Sequence, residues 1–259
     1  MLEKLAINAR NLSKYYGKLC AVHSLNLKIP LGQIYGLLGP NGAGKTTTVK
    51  LLNSIITPSS GDAEVLGYNI KSQKHQVKSN CGFLSESPSL YEKLTAREFI
   101  EFVGDLYCVP KGIIHKRINA FLKLFDLEKR ENDLLEGYSR GMKQKVCLSA
   151  TLIHDPEILF LDEPTANLDP ISARIVKDII LDIVKRGNKT VFICTHLLDI
   201  AKELCDIIGI INKGVLLIEG SPKEVIDSVD ANSLEDAYLK ILNPSQNGTS
   251  NKDYLSWRE

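Results

Sequence analysis

The most informative segment of the chain is Gly39-Pro40-Asn41-Gly42-Ala43-Gly44-Lys45-Thr46. It matches the pattern G-x-x-x-x-G-K-[ST], in which glycines let the backbone curl so that several N–H groups point at one anion. An apolar run at residues 34–38 predicts a buried strand before it, and residues 46–52 predict a helix after it. This context favours a phosphate-binding loop over an ordinary glycine-rich turn. Lys45 would reach the β- and γ-phosphates, and Thr46 would offer its hydroxyl to Mg²⁺.

Two adjacent carboxylates, Asp162 and Glu163, follow a second apolar run at residues 158–161. Open α/β sheets bind ligands at the carboxyl ends of their strands, so both acids should face the phosphate loop. Asp162 is then expected to hold Mg²⁺, and Glu163 to polarise a water aimed at the γ-phosphorus. The alternative is an acidic turn before Pro164, but the pairing with the loop favours a hydrolytic site.

The length of the chain allows one large domain, and its net charge does not indicate an anionic partner. The 259 residues carry a net charge of +1, so no global field steers the chain to nucleic acid or to an anionic membrane. No signal peptide is expected, and charges interrupt every apolar run short of the ~18 residues of a membrane span. The six cysteines lack C-x-x-C or zinc-like spacing and predict buried, reduced thiols of a cytosolic protein: Cys20, Cys81, Cys108, Cys147, Cys194 and Cys205.

The remaining patterns predict an α/β fold of the P-loop NTPase type with a mostly parallel core sheet. Alternating residues between 5 and 30 predict an antiparallel β portion, with a turn at residues 14–18 that carries Tyr15 and Tyr16. Further strands are predicted at residues 62–66, 81–84, 190–194, 207–211 and 215–218. The basic residues Lys71, Lys74, His75 and Lys78 are interpreted as a solvated loop.

Three consecutive helical patterns predict an all-helical insertion at about residues 88–150. The first begins at a capping box, Thr95 to Glu98, and the third begins at Ser139. The predicted ATPase domain covers residues 1–225. Residues 226–259 are interpreted as a short helix at about 233–242 followed by a flexible polar tail.

The third predicted helix opens on Tyr138-Ser139-Arg140-Gly141-Met142. Together with the phosphate loop and the paired acids, in this order and spacing, it makes about residues 5–225 resemble the ATP-binding subunits of ABC (ATP-binding cassette) transporters. The segment stands where that family has its signature, Leu-Ser-Gly-Gly-Gln, and residues 166–169 resemble its D-loop. The resemblance implies that Tyr16 stacks on adenine, with Tyr15 as the rival candidate, and that His196 contacts the γ-phosphate.

Two positions depart from the family pattern. Glu86 stands where a glutamine is usual, and Arg140 replaces the first glycine of the signature. Both variants, and residues 90–95, resemble the branch that powers exporters whose membrane subunit is a separate chain. A carboxylate near a triphosphate is drawn to the metal, so Glu86 is predicted to contact Mg²⁺, although it could also point to solvent.

The resemblance and the residues together predict three sets of functional side chains. The catalytic set is Glu163, His196 and Lys45, and the metal-binding set is Thr46, Asp162 and Glu86. The nucleotide-binding set is larger: Tyr16, Gly39, Pro40, Asn41, Gly42, Ala43, Gly44, Lys45, Thr46, Thr47, Glu86, Ser139, Arg140, Gly141 and Asp169.

The resemblance implies an ATPase with ATP and Mg²⁺ as cofactors. Two copies, or this chain and a homologous one, would sandwich ATP and drive transport, in the export direction, through separate transmembrane permease subunits. The chain would then be cytoplasmic and peripheral on the inner face of the membrane. The alternative is a soluble ABC ATPase that acts on DNA, ribosomes or cluster assembly, which a single cassette without a coiled-coil insertion or zinc module disfavours.

Overall fold

The computed structural model describes residues 4–86, 90–166, 168–187 and 189–243, and this part of the chain contains ten strands, nine α-helices and two short 3₁₀ helices. The central sheet has six strands in the order β10-β9-β3-β8-β7-β6. Its strands are β3 (Ile34–Leu38), β6 (Cys81–Leu84), β7 (Ile158–Asp162), β8 (Thr190–Thr195), β9 (Ile207–Asn212) and β10 (Val215–Gly220). Only β10 runs antiparallel to its neighbour.

Every residue of β3, β7 and β8 is buried. Continuous apolar strands of this kind are typical of a parallel sheet that is covered on both faces. The strands predicted from these runs are confirmed, and their carboxyl ends meet along one edge of the sheet.

A second, antiparallel sheet is formed by residues of the amino-terminal part of the chain and has the order β2-β1-β4-β5. Its strands are β1 (Leu5–Tyr16), β2 (Leu19–Pro30), β4 (Ser60–Val65) and β5 (Tyr68–Asn69). The predicted turn at residues 14–18 is too wide, since Tyr15 and Tyr16 pair with Cys20 and Leu19 as the last rungs of the β1–β2 ladder. The pairing of β1 with β2 therefore leaves only Gly17 and Lys18 in the turn.

Helices α1 (Lys45–Leu52) and α2 (Lys74–Asn80) follow strands β3 and β5. The interpretation of the basic cluster around Lys74 as a loop is wrong, because three of its four residues lie in α2. Val77 is the single buried residue of this helix. One apolar anchor in seven residues produces no helical periodicity, which explains the error.

The predicted helical insertion contains α3 (Ala96–Leu106), α4 (Lys111–Leu124) and α5 (Arg140–Leu152). The capping box is present, with Thr95 accepting from the Glu98 backbone and Glu98 accepting from that of Thr95. Residues 87–89, where the insertion was predicted to start, lie outside the described residues.

The carboxyl-terminal part of the described chain is helical except for strands β8 to β10. It contains α6 (Pro170–Gly187), α7 (Leu198–Leu204), α8 (Pro222–Ser228) and α9 (Leu234–Leu242). Residues 244–259 of the predicted polar tail lie outside the described residues. Four cysteines are buried as expected, but Cys20 is half-buried and Cys108 is exposed. Among the helices described, none combines the length and apolarity of a membrane span.

Candidate active site

The glycine-rich loop joins β3 to α1, as the sequence predicts. Gly42 and Gly44 have positive φ values of 79° and 110°, which side chains rarely adopt. A Cβ atom on Gly44 would lie 2.4 Å from the carbonyl oxygen of Ala21, and one on Gly39 would lie 2.2 Å from that of Ile211. No side chain caps the amino end of α1. Its first N–H groups are therefore left for an anion.

A hairpin that sequence reasoning did not connect to the loop holds it in place. The Gly214 backbone N–H, in the β9–β10 turn, donates to the carbonyl of Ala43 at 2.8 Å. The His23 backbone N–H of β2 donates in turn to the carbonyl of Gly214, also at 2.8 Å. Both sheets thus contribute to the shape of the phosphate loop. A turn motif gives no sequence signal for such a contact.

The Lys45 side chain folds back over the loop that precedes it. Its Nζ donates to the Gly39 carbonyl at 2.7 Å and to the Pro40 carbonyl at 3.2 Å. Lys45 is only 7% exposed. A buried ammonium held by carbonyls in this position supplies the positive charge that a phosphate anion requires.

Thr46 and Asp162 meet at the carboxyl edge of the central sheet. The Thr46 hydroxyl donates to Asp162 Oδ2 at 2.7 Å. Burial raises the pKa of Asp162, which the Thr46 hydrogen bond opposes, and the charges of Glu163 and Glu86 raise it further. Hydroxyl and carboxylate oxygens are the ligands that Mg²⁺ prefers, so this donor set fits the predicted metal.

Glu163 is 4% exposed and has a φ of +51°, a left-handed conformation uncommon outside glycine. Its backbone N–H donates to the carbonyl of Cys194 at 2.9 Å, which joins the end of β7 to β8. Its carboxylate then lies beside Thr195 and His196, the last residue of β8 and the one after it. The backbone turn places the side chain among the groups that follow the neighbouring strand.

The sequence predicts Glu163 and His196 as two separate functional residues, and the structure places them in direct contact. Glu163 Oε1 accepts from the His196 backbone N–H at 3.0 Å and lies 2.7 Å from His196 Nδ1. Because an ionised carboxylate can only accept, the shared proton belongs to Nδ1. The His196 side chain is 54% exposed, whereas that of Glu163 is buried, so only the histidine is free to turn outward.

Most residues of the predicted nucleotide-binding set line a single cleft of about 410 Å³. Tyr16 belongs to its lining, whereas Tyr15 does not and instead lies 3.3 Å from His23 Nδ1 through its hydroxyl. Leu19, which sequence reasoning missed, is 66% exposed and adds apolar surface near Tyr16. The predicted residues that line the cleft are Tyr16, Asn41, Gly42, Ala43, Gly44, Lys45, Thr46, Thr47, Glu86, Asp162 and Glu163.

The predicted signature residues lie in a second cleft, together with the D-loop aspartate. Ser139 caps α5, since its Oγ accepts from the Met142 backbone N–H at 3.3 Å. Asp169 accepts from the Ser172 backbone N–H at 2.9 Å, and hydrogen bonds from Ser172 lower its pKa. The lining comprises Ser139, Arg140, Gly141, Met142, Lys145 and Asp169. In the described part of the chain the two clefts have no lining residue in common, and Asn167 of the D-loop lies outside that part.

Comparisons with known proteins agree with this arrangement. The family model described as ABC transporter matches residues 22–166. An ABC transporter ATP-binding protein of Nostoc sp., itself uncharacterized, is 40% identical over 82% of this chain and 63% of its own length. The bacitracin transport ATP-binding protein BcrA of Bacillus licheniformis is 40% identical over 82% of this chain and 69% of its own.

A solved structure of the ATP binding subunit of an ABC transporter has the same fold. It is 25% identical, with a TM-score of 0.85, and the match covers 92% of this chain and 99% of that one. The predicted P-loop ATPase fold is confirmed. The chain spans about two thirds of the length of its Nostoc and Bacillus relatives. Motif order, site geometry and relatives agree that this chain belongs to the ABC transporter family as an ATP-binding, ATP-hydrolysing domain.

Proposed function

We propose that this chain hydrolyses ATP to drive export through separate transmembrane permease subunits. One observation carries the proposal: the phosphate loop, the Thr46–Asp162 oxygen pair and Glu163 line a single cleft. A buried carboxylate beside a phosphate cradle is the arrangement that phosphoryl transfer to water requires. The transport role is supported by the family and by the name of the BcrA relative.

The chain's own groups account for binding. Backbone N–H groups at residues 42–46 and the Lys45 ammonium would hold the β- and γ-phosphates, and Tyr16 would stack on the base. Thr46, Asp162 and Glu86 would hold Mg²⁺, which neutralises charge on the phosphate oxygens when bound. The carbonyls of Gly39 and Pro40 would release Lys45 toward the incoming phosphate.

Glu163 would act as the general base. Its carboxylate takes a proton from a water whose oxygen bonds to the γ-phosphorus, while the bond to the β–γ bridging oxygen breaks. The products are ADP and inorganic phosphate. The His196 side chain would leave Glu163 to contact the γ-phosphate. Oε1, which keeps the hydrogen bond from the His196 backbone N–H, would then be open to water.

Two copies would complete each site. The signature cleft is separate from the phosphate cleft within one chain, so Ser139 and Gly141 would approach ATP from a partner subunit. A two-fold dimer would bring each phosphate loop to the partner's signature cleft and form two equal sites.

We predict that Glu86 makes hydrolysis depend on Mg²⁺ differently from a glutamine. Glu86 lines the cleft that Asp162 lines, and its charge contributes to the raised pKa of Asp162. A carboxylate there attracts a cation that an amide would not. Glu86→Gln should change the Mg²⁺ concentration for half-maximal ATPase activity about threefold or more, with ATP binding little altered. Glu157→Gln, an exposed acid next to the amino end of β7, is the control, and equal metal dependence of wild type and Glu86→Gln refutes metal contact.

Co-purification tests the transport role. We expect affinity-tagged protein, recovered from detergent-solubilised membranes of its native host, to bring with it a polytopic membrane protein in stoichiometric amount. A reading frame for such a protein beside that of this chain would agree. Recovery with ribosomes or nucleic acid, and without any membrane protein, would contradict the proposal and favour a soluble ABC ATPase.

A further inference from the structure

The fold places a buried hydroxyl beside the proposed base. Strands β7 and β8 are parallel neighbours with Asp162 opposite Cys194, so the next residues along, Glu163 and Thr195, lie side by side. Thr195 is 1% exposed and ends β8. Its Oγ1 lies 2.8 Å from Glu163 Oε2.

The direction of this hydrogen bond follows from the partners of the hydroxyl. The Leu197 backbone N–H donates to Thr195 Oγ1 at 3.0 Å, so the oxygen is already an acceptor there. A hydroxyl has one proton, and an ionised carboxylate can only accept. The Thr195 proton is therefore directed at Glu163 Oε2.

The two oxygens of Glu163 consequently have partners of different mobility. Oε1 accepts from the backbone N–H of His196 and from its side chain, which is more than half exposed, whereas Oε2 accepts from a buried side chain fixed in the sheet. If the His196 side chain turns toward a nucleotide, Oε1 loses that partner and keeps the hydrogen bond from the His196 backbone N–H, while Oε2 stays bound to Thr195. The carboxylate then keeps its plane and its position.

We propose that Thr195 is a positioning residue that anchors Glu163 Oε2 and so aims Oε1 at the attacking water. The inference rests on the proposed role of Glu163 as the general base. Thr195 acts through Glu163 and is not among the residues that line the phosphate cleft. Loss of its hydroxyl should therefore impair the chemical step and leave ATP binding unchanged.

Thr195→Val keeps the shape of the side chain and removes the hydroxyl. We expect kcat to fall roughly tenfold to a hundredfold, the scale of a misplaced catalytic group, with the KM and the Kd for ATP unchanged. Thr195→Ser retains the hydroxyl and should restore most of kcat. Thr190→Val, which removes a buried hydroxyl at the other end of β8, should leave kcat unchanged in the folded protein. If Thr195→Val does not fold, Thr195→Ser and Thr195→Ala, which differ only by the hydroxyl oxygen, give the same comparison.

A double substitution separates this inference from the proposed function. In a Glu163→Gln background, Thr195→Val should cause little further loss of turnover, because both changes impair the same group. Wild-type turnover of Thr195→Val, or an equal loss in both backgrounds, overturns the positioning role while leaving Glu163 as the base. Full activity of Glu163→Gln alone would instead refute the proposed base, and the inference with it.

Discussion

Glu163→Gln protein is expected to bind ATP with near wild-type affinity and to hydrolyse it at least about 10²-fold more slowly. The amide has nearly the size of the carboxylate, and its carbonyl oxygen can still accept the Thr195 hydrogen bond. It cannot take a proton from water, so the chemical step loses its base. Single-turnover hydrolysis and equilibrium ATP binding, measured on the same preparation, separate the two effects.

The same variant should accumulate as an ATP-bound dimer, because the ATP held between the two subunits is not broken down. Size-exclusion chromatography with and without ATP measures this. Glu157→Gln makes the same chemical change at an exposed position beside the opposite end of β7 and should have wild-type rate and size. Hydrolysis by Glu163→Gln at the wild-type rate would assign the base to another residue.

Mixing two inactive variants is expected to generate activity. A Lys45→Ala chain lacks its phosphate ammonium, and a Ser139→Arg chain fills its signature cleft with a bulky cation. Their heterodimer has one site with both defects and one site with none. Random exchange at equal concentrations should yield about one quarter of wild-type activity if the sites work independently.

The control mixes a chain that carries both substitutions with the Lys45→Ala chain. No dimer in this mixture has an intact phosphate loop facing an intact signature, so the mixture should stay inactive. Subunit exchange is checked with two affinity tags. If exchange is complete and the first mixture remains as inactive as the control, signature and phosphate loop do not combine across a dimer.

The parts of the site that could be predicted from the sequence are those formed by residues adjacent in the chain. The phosphate loop shows its glycines and Lys45 in one short motif, and Asp162 and Glu163 follow a short apolar run that predicts a buried strand. That these groups lie at the same edge of the sheet follows from the general rule that open α/β sheets bind ligands at the carboxyl ends of their strands. Fold class and the main cleft were therefore predictable.

The contacts that required the structure join residues far apart in the chain. The left-handed backbone of Glu163, its hydrogen bond from Thr195 and its contact with His196 depend on the register of β7 and β8. Composition and periodicity specify which residues form strands, but not which strands are neighbours. Helix α2 was missed for a different, local reason. Val77 is its one buried residue, and a single buried residue produces no helical periodicity in the sequence.

The hydrogen bond between Gly214 and Ala43 has a consequence for biosynthesis. The two residues are about 170 positions apart, so the loop gains this support late, when the β9–β10 hairpin has docked. On the ribosome, a nascent chain ending before β9 already contains the glycine motif but lacks the hairpin that braces it. The phosphate loop therefore acquires its full set of backbone hydrogen bonds only when the central sheet is complete.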